Sequence, residues 1–410
     1  MQDDKTIDDK TRQVHISAWK EAGKVFLLSR LLFFTTTCFS IYVLPQLSAR
    51  YAQHLGYDVR WRFSTPAINQ LVFSWQRWDV GAFLNISYFG YRHTPDVAFF
   101  PLWSLTQHLG GLLLGGSFPN SFYFAGLILA NILFYFALVL LYNLLAEDFD
   151  PALARRALFI LAFSPYALFF FAGYSEPLFL VLCLSVFLLL RRGRTGDWWL
   201  AGILAYLAVL TRSSGIALGL PYLVMFYHHF WRANRRSETN WRQKLSAFAP
   251  IAFIPAAVLT YMFYLYLIKG SPLIFRVQEE TIWHRQFTWP WDTARLLIQA
   301  FSVKTSLIIA DIFDVTAVLV ALLTLTLGWA RIPWNYRLFA ITLTVFTLSF
   351  PTHTLEPLAS QPRYMISIFP ITVAYAVWSK NKYFYAIFMA LTLAFLVINT
   401  IFFVGNFWVA

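Results

Sequence analysis

Residues 120–145 read NSFYFAGLILANILFYFALVLLYNLL, twenty-six positions without one Asp, Glu, Lys or Arg. As a helix this run reaches about 39 Å, enough to cross a hydrocarbon core of roughly 30 Å. It is not alone. Apolar blocks recur at 25–47, 157–173, 177–190, 198–211, 215–231, 245–268, 306–330, 338–350, 364–378 and 383–407. Together they predict an all-α polytopic membrane protein, a multi-pass integral membrane chain with about eleven transmembrane helices.

Whole-chain composition agrees. Of the 410 residues 59% are hydrophobic and 13% charged, against about 25% charged in a soluble domain. A soluble globular enzyme is excluded, and the absence of ten-residue alternation excludes a barrel. The formal net charge of +12 sits in short connections between apolar blocks, so it reads as a topology signal and no nucleic-acid partner is expected. Cys38 and Cys183 both lie inside apolar blocks without metal-ligand spacing, so neither a disulfide nor a zinc site is expected. With no repeat and no Pro/Gly/Ser linker, the division is a polar cytoplasmic segment 1–24, read as preceding a retained helix rather than as a signal peptide, and a single transmembrane domain 25–410.

Orientation turns on one further stretch, 98–116. If the N-terminus is cytoplasmic and 98–116 does not span, 19 basic residues fall inside and 12 outside, with Arg30 set aside within the first block; if it spans, the bias inverts. A juxtamembrane or re-entrant helix is therefore expected there, in keeping with Pro101, Gly110, Gly111, Gly115 and Gly116. Four polar segments then share the outer face: 48–119 as a long first extracytoplasmic loop, 173–176, 269–305 and 351–363.

Those segments hold the candidate chemistry. In QRWDVGAFLNISYFGY, residues 76–91, Asp79 stands among aromatic and apolar neighbours. Partial desolvation there makes a carboxylate a better base; capping the following helix is the competing reading. Glu176 in GYSEP, residues 173–177, is a second acid at an outer end, with simple capping again the alternative. Arg212 in TRSSG and Arg363 in QPRYMISIFP, with Tyr364 beside it, end on the same face. Two distant arginines converging there suggest a phosphate site near the outer leaflet, against the reading that each snorkels to lipid headgroups. The segment QEETIWHRQFTWPWD, residues 278–292, places Trp283, His284 and Arg285 among further tryptophans. Such rings stack on sugar faces or anchor at the membrane interface. No histidine has ligand spacing, so a divalent metal is possible but not required.

These segments resemble one family. RWDVGAFLNISYFGY, from Arg77 to Tyr91, followed by AFFPLW (98–103), is similar to the tryptophan–aspartate loop of the PIG-V family, the second mannosyltransferase of glycosylphosphatidylinositol synthesis, and its prokaryotic relatives. AFSPYALFFFAGYSEPLF (162–179) and LTRSSGI (210–216) resemble its next two blocks, while SQPRYMISIFP matches only weakly. The resemblance implies a C-type glycosyltransferase (GT-C) bundle with juxtamembrane helices in its first outer loop. It also implies a site facing away from the cytoplasm, an inverting reaction, and a polyprenyl- or dolichyl-phosphate-linked mannose or other hexose as donor. The acceptor would be a lipid or glycan hydroxyl, and the location the plasma membrane of a prokaryote or the endoplasmic reticulum of a eukaryote. On that resemblance Asp79 is the general base and Trp78 its motif neighbour. Trp78, Arg77, Tyr91, Glu176, Arg212, Arg363, Tyr364, Trp283, His284 and Arg285 are the candidate substrate contacts, with membrane lipids around them. The alternative, a lipid or solute transporter or flippase, predicts charges in mid-span, whereas most ionisable residues here lie at span ends, with Asp311 and Asp314 as outer-end exceptions.

Overall fold

The computed structural model describes residues 2–44, 66–232, 240–303 and 308–409. Residues 48–65 of the expected outer loop and the start of the 306–330 block lie outside them. Among the described residues every regular element is helical, and the lone β contact is an isolated bridge between Arg285 and Thr352. Five helices are long and apolar enough to cross a membrane: Ile16–Val43, Asn120–Asp148, Trp241–Lys269, Ile312–Arg331 and Lys382–Val404. The chain is a multi-pass membrane protein.

Several blocks expected as single spans are broken instead. The 157–173 block is a helix Pro151–Ala162 followed by a short 3-10 turn Ala167–Phe170. Ser164 precedes Pro165, and a residue before proline is driven out of the helical region. The 364–378 block divides into Gln361–Met365 and Phe369–Trp378, with Pro370 in the first turn of the second, where a missing N–H costs nothing. The 215–231 block passes from a 3-10 turn Ser213–Leu218 through a helix Gly219–Tyr227 to a π turn His228–Arg232. Helix Pro101–Leu113 is thirteen residues long, about 20 Å and short of the hydrocarbon thickness.

The chain forms two compact units. The first takes in the described residues of Met1–Tyr88, Gln107–Pro177 and Tyr375–Val409. Its long helix Gln2–Val43 packs along Asn120–Asp148 and Lys382–Val404. An aromatic cluster of Phe33, Trp75, Phe171 and Phe403 links Gln2–Val43 to Lys382–Val404, with Trp75 and Phe171 centroids 4.4 Å apart. The break after Ala162 leaves carbonyls that no helix satisfies, and at membrane depth these need side-chain donors. Three arrive from other helices: Asn399 Nδ2 donates to Pro165 O at 2.9 Å, Arg30 Nη2 to Phe170 O at 2.9 Å and Asn131 Nδ2 to Phe171 O at 3.1 Å.

The second unit takes in Phe89–Thr106 and Leu178–Ala374. Thr195–Thr211 packs on Phe253–Lys269, and Gly219–Tyr227 on Trp334–Leu348. Gly202 lets the turn Ala249–Ala252, just before Phe253–Lys269, lie close against Thr195–Thr211. A Cβ there would stand 2.5 Å from Pro250 Cβ and 2.7 Å from the Pro250 carbonyl oxygen, which is backbone and cannot swing aside. Gly202→Ala is expected to cost about 1–3 kcal/mol through overpacking. A fall in the thermal unfolding midpoint in detergent checks this, and an unchanged midpoint would show that the helices are not held so close.

Candidate active site

In the first unit, residues 76–79 turn sharply into helix Asp79–Phe89. Gln76 N–H donates to Phe73 O at 3.0 Å and Val80 N–H to Arg77 O at 3.1 Å. To make that turn Trp78 adopts φ +52°, a left-handed conformation that costs a bulky residue on the order of 1–3 kcal/mol and marks functional segments. The Trp78 ring is 39% exposed and meets Trp408 edge-on at 4.8 Å. Asp79 follows as the first residue of its helix, half-buried.

Arg77 anchors this turn. Its Nη2 donates to Val404 O at 3.1 Å, while the Tyr174 hydroxyl donates to Arg77 O at 3.2 Å. Burial lowers the Arg77 guanidinium to about 10, so it stays charged at neutral pH, and among the described residues its Nε has no hydrogen-bond partner. The segment carrying Tyr174 also carries Glu176. Expected as a substrate contact, Glu176 is fully buried as the first residue of helix Glu176–Arg192. That placement fits the helix-terminus role of a carboxylate better than direct contact with a substrate.

The second unit assembles a cluster of cations. The guanidinium carbons of Arg212, Arg363 and Arg285 lie 4.8, 5.2 and 5.4 Å from the centroid of the Tyr364 ring. Arg363 Nη2 reaches the Tyr364 hydroxyl at 3.4 Å, and Arg285 donates to Phe350 O at 3.1 Å and Ala359 O at 2.9 Å. Two more strained residues frame the cluster: His284 at φ +51°, just before Arg285, and Ser360 at φ +68°, capping Gln361–Met365. Three positive charges around one ring form a site suited to an anion with several acceptor oxygens. The sequence suggested that Arg212 and Arg363 converge and named Arg285 as a further candidate contact; that all three meet on Tyr364 is decided by the fold.

Trp283 meets Phe99 edge-on at 5.6 Å, and His284 is exposed. Nearby, Trp289 and Trp291 stack at 4.9 Å with both rings exposed, as interfacial anchors do. Tyr91, also expected to touch substrate, is 7% exposed, and its hydroxyl donates to Phe99 O at 2.6 Å. It braces its own loop.

The same loop holds a residue that sequence reading passed over. Asp96 is 3% exposed, and among the described residues its Oδ2 has no hydrogen-bond partner. Burial pushes its carboxyl up to about 6, against the pull of His93 and Lys269. An acid with a raised folded-state value favours the folded protein while protonated. That contribution is complete below about 3.9, the usual carboxylate value, and is lost as pH rises through about 6. The unfolding midpoint is therefore expected to fall between about pH 4 and pH 6, and Asp96→Asn to flatten that slope; an equal slope in both proteins would count against it.

Among the described residues no three His, Cys, Asp or Glu side chains gather as a metal-binding group. Residues 19–270, more than half of the chain, match the family profile described as Mannosyltransferase (PIG-V). The chain belongs to the PIG-V mannosyltransferase family. It is 30% identical over 201 residues to GPI alpha-1,6-mannosyltransferase 2 of Mus musculus, covering 46% of this chain and 40% of the mouse protein. With the Cricetulus griseus protein of the same name it shares 36% over 146 residues, covering 34% of this chain and 29% of that one. The chain thus spans less than half the length of these curated relatives. A solved structure of the Archaeoglobus fulgidus oligosaccharyltransferase is similar at a TM-score of 0.47 with 13% identity, covering 94% of this chain and 55% of that one. The family match takes in Arg77, Trp78, Asp79, Tyr91, Glu176 and Arg212; Trp283, His284, Arg285, Arg363 and Tyr364 lie beyond its end.

Proposed function

We propose that this chain is an integral-membrane, inverting glycosyltransferase that moves mannose or a related hexose from a polyprenyl- or dolichyl-phosphate-linked donor to a lipid or glycan hydroxyl. Family membership supports the reaction class. The observation that carries the donor assignment is the set of three guanidinium groups around Tyr364. A lipid-linked sugar keeps its tail in the bilayer and its phosphate at the headgroup level, and this cluster would hold that phosphate and stabilise the charge that develops as it leaves.

Asp79 would take the acceptor's proton. The hydroxyl oxygen attacks the anomeric carbon from the face opposite the phosphate, the new carbon–oxygen bond forms as the sugar–phosphate bond breaks, and the electron pair leaves with the lipid phosphate. The exposed ring of Trp78 offers a face for the sugar or acceptor. Because a lipid phosphate is already a competent leaving group, the reading does not demand a metal. We further propose about eleven membrane crossings in a C-type bundle, the short and broken helices supplying those beyond the five long ones. The site would face outward across a plasma membrane, or into the lumen of an endoplasmic reticulum.

The test supplies purified protein in lipid with radiolabelled polyprenyl-phosphate-mannose and a lipid extract as acceptor. Label moving into the extract with release of polyprenyl phosphate is the expected result. No transfer from that donor, with the protein folded, would count against the assignment.

A further inference from the structure

Two of the side chains that meet the carbonyls freed after Ala162 act as a pair. Arg30 Nε donates to Asn131 Oδ1 at 2.7 Å, Nη1 to Ser29 Oγ at 3.0 Å and Nη2 to Phe170 O at 2.9 Å. Asn131 Nδ2 in turn donates to Leu127 O at 2.7 Å and to Phe171 O at 3.1 Å. The carbonyls of successive residues are thus fastened to different helices, Phe170 O to Gln2–Val43 and Phe171 O to Asn120–Asp148. The Arg30 guanidinium carbon also stands 4.5 Å from the Phe26 centroid and 4.7 Å from that of Phe134. A planar fork of donors suits this place, because one side chain reaches three acceptors in a fixed geometry.

The fastened stretch is not α-helical. It runs from the turn Ala167–Phe170 to the start of helix Glu176–Arg192, and Gly173 bends it at φ +81°. It touches the turn before Asp79 at two points. The Phe171 ring meets Trp75 at 4.4 Å, and the Tyr174 hydroxyl donates to Arg77 O at 3.2 Å. Trp75 and Tyr174 are 3% and 1% exposed, so neither contact is made through water. Both bear on the short run 75–77 that leads into Trp78, the residue held at φ +52°. A left-handed tryptophan persists only where its surroundings over-determine it, and contacts from a loose segment would not do so. All of these residues belong to the first unit.

We propose that Arg30 and Asn131 are positioning residues for sugar transfer. By fixing Phe170 O and Phe171 O they hold residues 170–174. Through Phe171 and Tyr174 they hold the turn that aims the Asp79 carboxylate at the acceptor hydroxyl. The inference rests on Asp79 being the proton acceptor. Proton transfer needs hydrogen-bond reach, and a displacement on the order of 1 Å can cost about a hundredfold in rate. The competing account is plain satisfaction of a helix break, which predicts lost stability with no link to residue 79.

The test uses the full chain in lipid, with radiolabelled polyprenyl-phosphate-mannose and a lipid extract as acceptor. Arg30→Gln and Asn131→Ala are each made with Asp79 intact and in Asp79→Asn protein. With Asp79 intact, kcat is expected to fall about tenfold, while KM for the donor and the donor bound per chain stay within about twofold. In Asp79→Asn protein the same substitutions should leave the residual rate within about twofold, because the group they aim is gone. Arg30→Lys, which keeps the charge without the fork, should fall short of wild-type kcat. Asn131→Ala leaves Arg30 its bonds to Ser29 and Phe170, and it carries the test if Arg30→Gln does not fold. Tyr174→Phe, which deletes only the last link, should follow the same pattern. An unchanged kcat, an equal fall with and without Asp79, or a fall matched by lost donor binding overturns the proposal. Asp79→Asn protein as active as wild type would remove the base assignment and this inference with it. Transfer that depends on Asp79 but ignores Arg30 and Asn131 removes the inference alone.

Discussion

Asp79→Asn should lower sugar transfer by about a hundredfold or more while the protein stays folded in lipid, the usual cost of losing a positioned general base. Asparagine keeps the size and shape of the side chain and removes only its capacity to take a proton. Stability is therefore expected to change little beside activity. The local backbone explains why position matters as much as charge. Trp78 is held at φ +52° by a turn tied to Val404 and Tyr174 through Arg77, and Asp79 is the next residue. Asp79→Glu, which retains the acid but moves it by one methylene, should recover only part of the rate. Asp79→Asn protein that still turns over at near wild-type speed would remove the carboxylate from the proton-transfer role and leave it as the start of its helix.

The second large effect is expected at the arginine cluster. Arg363→Ala should reduce kcat/KM for the lipid-linked donor by about ten- to a hundredfold, the range for a charge-assisted hydrogen bond to a phosphate. Arg212→Ala should act in the same direction. Arg363→Lys should rescue poorly, because an ammonium restores the charge without the planar fork of donors. Arg285 makes a less clean test, since it also ties Phe350 O and Ala359 O, and its loss would loosen the backbone around Tyr364. Donor titrations decide the matter: a donor dependence unchanged in both Arg212→Ala and Arg363→Ala would reduce the cluster to a structural or interfacial feature.

Much of the candidate site was legible before any fold was known. Asp79 stood out as an acid between aromatic residues just beyond a span, and Arg212 and Arg363 as cations at span ends. Tyr91 and Glu176 read the same way on paper, yet the fold buries both, and local patterning cannot separate a polar residue facing a cavity from one facing a neighbouring helix. Asp96 and Trp408 carried no local signal at all. Each acquires its character from residues far away in sequence, the carboxyl of Asp96 from burial beside Lys269 and the ring of Trp408 from contact with Trp78.

Composition and block length by themselves determined that this is a helical membrane chain, because twenty-six residues without a charge have few stable fates in water and an obvious one in lipid. Its family was also readable in sequence, since the motifs that carry it are short and continuous. Where the spans break was decided by the fold. Prolines at 165 and 370 disfavour an unbroken helix, but a break at membrane depth survives only if other helices satisfy the freed carbonyls, as Arg30, Asn131 and Asn399 do. The tertiary structure alone also gathered Arg212, Arg285 and Arg363 on one ring. More than seventy residues separate each from the next, and no periodicity over such distances says which helix ends will meet.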